Sequence, residues 1–77
     1  MRQNINYILI TPAKNEEKDL QKVIDSVVNQ TVLPKVWIII DDGSTDRTSL
    51  IIQYNQNKYD FIKSIRLPEH QRDIYYH

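Results

Sequence analysis

Asp41 and Asp42 follow three consecutive isoleucines, Ile38 to Ile40, and are followed by Gly43, Ser44, Thr45 and Asp46. An apolar run ending in two carboxylates brings an acidic corner to the carboxyl end of a strand. In open α/β sheets, ligands bind at that edge. Gly43, the only glycine in the chain, permits a positive φ or a close backbone approach. Ser44, Thr45 and Asp46 carry oxygens that accept the orphan N–H groups of a helix start. A pre-shaped acidic rim of this kind suits ligand recognition. The same residues also describe a solvated turn that caps a helix, so the flanking segments must decide. A second polar cluster, Asn15-Glu16-Glu17, follows the first apolar run.

The elements that would carry these residues follow from periodicity. Tyr7 to Thr11 form a short β-branched run, a buried strand that Pro12 ends. Asn15 fits a helix N-cap, and Glu16 and Glu17 fit the first turn, where the helix dipole favours negative charge. Leu20, Val23, Ile24, Val27 and Val28 then lie on one helical stripe, which Thr31 and Pro34 close. Val36 to Ile40 form a second strand, apolar on both faces as if covered by helices on both sides. A second helix is expected from Ser44 or Thr45, with Leu50, Ile51 and Tyr54 as a weak apolar face and Asn55 to Lys58 poor for continuing it. Asp46 fits its first turn. Phe61 to Leu67 read as a third strand at a sheet edge, blunted by Lys63 and Arg66 and stopped by Pro68. The fold class is therefore α/β: a Rossmann-like β-α-β-α-β half, with three parallel strands, right-handed crossovers and an open edge. Residues 1–67 form this segment, and residues 68–77 form an irregular or disordered tail.

Composition excludes several classes. Ten basic residues balance ten acidic ones, which argues against a nucleic-acid partner. There is no cysteine, hence no disulfide framework and no thiolate metal site. His70 and His77 have no partner at ligand spacing. With one glycine there is no glycine-rich phosphate loop. The opening residues lead into an apolar run too brief for a signal or a membrane span, so the cytoplasm is the expected compartment. At 77 residues, only about 60% of the unfolded chain's surface is buried on folding.

Three blocks in order, ITPAKNEEKDL, SVVNQT and WIIIDDGSTDRT, resemble the amino-terminal segment of family-2 glycosyltransferases, over about residues 5–67. The resemblance implies a GT-A fold and an inverting transfer of sugar from a UDP- or GDP-type nucleotide-sugar to an acceptor hydroxyl. It implies that Thr11, Pro12 and Ala13 lie against base and ribose, with Glu16 beside the pocket. Asp42, and with it Asp41, would accept a hydrogen bond from the base. Uracil offers one N–H and an ionised carboxylate only accepts, a pairing worth about 1.5–3 kcal/mol. Lys14 stands where many relatives carry an aromatic residue that stacks on the base. The family's divalent metal, Mg or Mn, is held by an Asp-x-Asp motif that lies beyond a fourth strand, and its catalytic base lies further on. No catalytic or metal-ligating residue is therefore assigned here, and the chain alone is expected to be inactive. In a complete enzyme, the cytoplasmic face of the membrane is a further expected location. An alternative is a non-catalytic interaction module, a truncated fragment that self-associates through its open sheet edge. A receiver-type phosphoacceptor ranks below both, because its acidic pair follows the first strand and not the second.

Overall fold

The structure, a computed structural model, describes residues 6–68. Its elements are β1 (Ile8–Ala13), α1 (Leu20–Val28), β2 (Val36–Asp42), α2 (Thr48–Lys58) and β3 (Ile62–Leu67). The strands form one parallel sheet in the order β1-β2-β3. This is the expected Rossmann-like half. The register pairs Ala13 with Asp41 and Asp42 with Leu67, so all three strands end at one edge. The expected tail from Glu69 to His77, with both histidines, lies outside the described residues.

Strand alternation decides what is buried. Trp37, Ile39 and Asp41 point to the face that the helices cover, with Ala13 and Ile62 beside them. Leu20, Ile24 and Val27 of α1 and Ile52 of α2 close this core from above. The opposite face is open. Ile8 and Ile10 are 62% and 58% exposed, and Ile65 is 49% exposed. The expected cover on both faces of β2 is thus absent among the described residues. Two right-handed crossovers running in the same direction along a sheet put both helices on one side.

Four boundary expectations are corrected. Pro12 does not end β1, which continues to Ala13; β1 is an edge strand, where a missing N–H is tolerated. Asn15 does not cap α1. That helix begins at Leu20 with no acidic residue in its first turn; the carbonyl of Glu16 instead takes the N–H groups of Asp19 and Leu20. α2 begins at Thr48, later than expected, and continues to Lys58 through the asparagines. Its buried face is Thr48, Ile52 and Asn55, while Leu50 and Tyr54 are exposed. Val23 of the α1 stripe is also exposed, because a sheet of three strands offers each helix a narrow footprint.

Asn55 explains how α2 continues. It is fully buried. Its Nδ2 donates to Gln21 Oε1 at 2.7 Å and to the Ile51 carbonyl at 2.8 Å, and its Oδ1 accepts from Gln21 Nε2 at 3.2 Å. This reciprocal amide pair joins the two helices, and burial without it would be costly. We therefore expect Asn55→Ala to lower unfolding free energy by about 1–3 kcal/mol, since it leaves Gln21 Oε1 without its donor while Nε2 keeps only Asp25 Oδ1. Urea denaturation followed by circular dichroism measures this; a change under about 0.5 kcal/mol, typical of surface substitutions, would show that the pair does not support the fold.

Candidate functional site

The loops that leave β1 and β2 meet at the carboxyl edge of the sheet, where each satisfies the other's backbone. The N–H of Asn15 donates to Ser44 Oγ at 3.0 Å, that of Glu16 to Thr48 Oγ1 at 2.7 Å, and that of Glu17 to Asp46 Oδ2 at 3.3 Å. In return, the N–H of Thr45 donates to Asn15 Oδ1 at 2.8 Å and that of Arg47 to Glu17 Oε1 at 2.9 Å. Successive backbone N–H groups in a turn can cradle an anion. Here three successive amides are filled by the chain's own oxygens. Asn15 and Gly43 shape the two loops, with φ of 51° and 69°. Asparagine is one of the few side-chain-bearing residues that adopt this left-handed region readily.

Each predicted site residue has a definite place. Thr11 and Ala13 face the helices with Asp41, and the Thr11 hydroxyl accepts from Trp37 Nε1 at 3.0 Å. Pro12 is exposed, and alternation puts it on the open face with Asp42. Glu16 is tied into the rim by its backbone, and its side chain is exposed. Asp41 is only 2% exposed. Its Oδ1 accepts from the Ser44 N–H at 3.0 Å and so shapes the turn after β2. Its Oδ2 has no hydrogen-bond partner, with Arg66 Nη1 at 3.8 Å. Asp42 is half-buried, one residue beyond the register partner of the last residue of β1. The six predicted residues therefore reach one edge but divide between its two faces.

Several residues that build the edge escaped the sequence reading. Arg66 reads from sequence as an edge-blunting cation, yet its Nη2 donates to the Ser44 carbonyl at 3.2 Å, bracing the turn that Asp41 also holds. Ser44 reads as a helix-start residue and Thr48 carries no reading from sequence, but the hydroxyls of both accept from the opposite loop. The available signal was the density of short oxygen-bearing side chains at 44, 45, 46 and 48 facing a polar triplet at 15–17. On the outer side of the clasp, a groove of about 440 Å³ is lined by residues 14–19 and Asp46.

Asp46 is the cap of α2 in practice: its Oδ1 accepts the Thr48 N–H at 2.8 Å. Burial tends to raise its pKa. The Thr48 hydroxyl and amide, the Glu17 amide and its own amide outweigh that and hold the carboxyl below its usual value of 3.8. A depressed folded pKa gives stability that is present above the unfolded value and lost as pH falls through the folded one. Asp46→Asn should therefore lower the melting temperature at pH 7. The gap to the parent chain should close as pH falls below about 4, as thermal unfolding across pH can measure. A gap that stays constant down to pH 2 would contradict this.

Three parallel strands in one sheet, alternating with two helices, are consistent with a Rossmann-like α/β half of a GT-A fold. The model for glycosyl transferase family 2 matches residues 8–74. This chain belongs to that family, a family of sugar-transferring enzymes. It is 45% identical over 49 residues to a cholesterol galactosyltransferase of Borreliella burgdorferi, covering 64% of this chain and 14% of that one. It is 37% identical over 68 residues to the probable glycosyltransferase YdaM of Bacillus subtilis, covering 84% and 16%. A 4,4'-diaponeurosporenoate glycosyltransferase of Staphylococcus aureus is 42% identical over 43 residues, covering 56% and 11%. The aligned part of this chain thus spans between 11% and 16% of the length of these relatives. No solved structure gives a significant match.

Proposed function

We propose that this chain supplies the base-recognition share of an inverting, nucleotide-sugar-dependent glycosyltransferase. The observation that carries the proposal is the acidic corner at Asp42. It stands just beyond the end of β1, on a turn fixed by Asp41, Ser44 and Arg66. In this reading the Asp42 carboxylate accepts the ring N–H of a UDP- or GDP-type donor. Thr11, Pro12 and Ala13 flank base and ribose, and Glu16 stands at the rim. Asp41 contributes through the turn, because its burial keeps it from a ligand. In the whole protein the acceptor hydroxyl attacks the anomeric carbon directly, and a base takes its proton.

Mg or Mn serves such enzymes by offsetting the charge of the leaving diphosphate. Among the described residues no group of three or more His, Cys, Asp or Glu could hold a metal ion. The nearby carboxylates are engaged: Asp46 by amides and a hydroxyl, Asp41 by the Ser44 amide. The described residues do not fit a metal, so no step on them is routed through one. Also among the described residues, no helix is long and apolar enough to cross a membrane.

Calorimetric titration with UDP and GDP, with and without manganese, tests the proposal. Binding should be weak and insensitive to the metal. Loss of a charge-assisted hydrogen bond worth about 1.5–3 kcal/mol makes Asp42→Ala bind about 10- to 150-fold more weakly. A folded chain that binds neither nucleotide contradicts the proposal.

A second reading, an interaction module that pairs with another copy, is favoured by the open sheet. β1 and β3 are both edge strands, and the exposed Ile8, Ile10 and Ile65 share one face. Exposed apolar patches mark interaction surfaces. This reading predicts a dimer or larger species by sedimentation and a return to monomer in Ile10→Lys. A parent chain that is monomeric at all concentrations contradicts it.

A further inference from the structure

Asn15 satisfies two demands that few residues meet together. Its backbone takes a left-handed φ of 51°, and its Oδ1 accepts from the Thr45 N–H at 2.8 Å and the Thr45 hydroxyl at 3.4 Å. At the same time its own N–H is held by Ser44 Oγ at 3.0 Å. One residue therefore binds the opposite loop in both directions, two and three residues after Asp42. The Glu17–Arg47 contact repeats the exchange two residues further along each loop. Ser44, the residue Asn15 leans on, is in turn fixed by Asp41 and Arg66. A chain of hydrogen bonds thus runs from the β1–α1 loop to the turn that presents Asp42.

We infer that Asn15 is a positioning residue: it locks the two loops into one rim and thereby sets where Asp42 stands relative to the end of β1. It acts through Ser44 and Thr45 and not by touching a ligand. The consequence for binding rests on the nucleotide reading above, whereas the lock itself does not. A left-handed residue that also supplies an acceptor at a fixed point is limited in practice to Asn or Asp. Glycine satisfies the backbone alone, so substitution separates the two demands.

The test uses the chain with Asn15→Gly and Asn15→Asp, and Glu17→Ala as a milder second variant should Asn15→Gly fail to fold. Amide hydrogen exchange at Thr45 and Arg47, read by NMR, reports the lock. UDP titration reports its effect on the site. We expect Asn15→Gly to speed exchange at Thr45 and to weaken UDP binding about fivefold, the effect of one neutral hydrogen bond. Asn15→Asp, which keeps the acceptor, should restore both. Glu17→Ala should speed exchange at Arg47 and weaken binding to a smaller extent. Unchanged protection of Thr45 in Asn15→Gly overturns the inference. So does an opened Thr45 amide with UDP affinity intact, since the residue would then be structural only. If the parent chain binds neither UDP nor GDP, the proposed function fails, and exchange at Thr45 and Arg47 alone decides the lock.

Discussion

Backbone amides that leave a parallel sheet at its carboxyl edge must find acceptors, and this constraint organises the molecule. Buried or half-buried N–H groups without partners cost about 1–3 kcal/mol each. N–H groups buried to this degree occur at Asn15 and Glu16 in the β1–α1 loop and at Ser44 and Thr48 after β2, while the partnered N–H groups of Glu17, Thr45 and Arg47 are exposed. Side-chain oxygens on each loop accept N–H groups of the other, while Asp41 and Asp46 accept those of Ser44 and Thr48 within their own segment. Five of the bonds between the loops lie between 2.7 and 3.3 Å. Together they outweigh what any single exposed ion pair at this edge contributes, since surface pairs are worth about 0–1 kcal/mol. The shape of the rim therefore follows from backbone satisfaction.

The core beneath this rim is one-sided. Trp37, Ile39 and Ile62 are fully buried under the helices, and each buried residue of this kind contributes about 1.5–3 kcal/mol. The other face of the same strands carries isoleucines to solvent. A small domain stands only about 5–15 kcal/mol from unfolding, so an open apolar face leaves little reserve. This explains why the polar Asn55–Gln21 pair matters: where two helices meet over a narrow sheet, one buried polar link fixes their approach.

Much of the fold was legible because hydrophobic periodicity reports burial directly. The Leu20–Val28 stripe, the Val36–Ile40 run and the mixed apolar and polar run from Phe61 to Leu67 before Pro68 each signalled their element, and strand, helix and strand in succession dictated a parallel sheet. Boundaries were less legible because local chemistry at 12–19 and 43–48 is ambiguous. Asn15 suits a cap or a left-handed turn equally, and only the opposite loop, about thirty residues away (Thr45 with Asn15), selects the turn. The same holds for Asn55, unfavourable in an isolated helix yet stabilised here by a partner on α1. Which of Asp41 and Asp42 turns inward was likewise hidden: strand alternation separates the two carboxylates, but the burial side is set by Trp37 and Ile39 filling the core. Arg66 looked like edge protection until its guanidinium was seen on the Ser44 carbonyl.

In the proposed function, a nucleobase lies across the corner between the end of β1 and Asp42. Two-dimensional amide NMR of the chain with added UDP tests it most directly. The account predicts chemical-shift changes confined to residues 11–16 and 41–46, with the helices and the Ile8–Ile10 face unmoved. Shifts centred on that open face, or no shifts at saturating nucleotide, would contradict it.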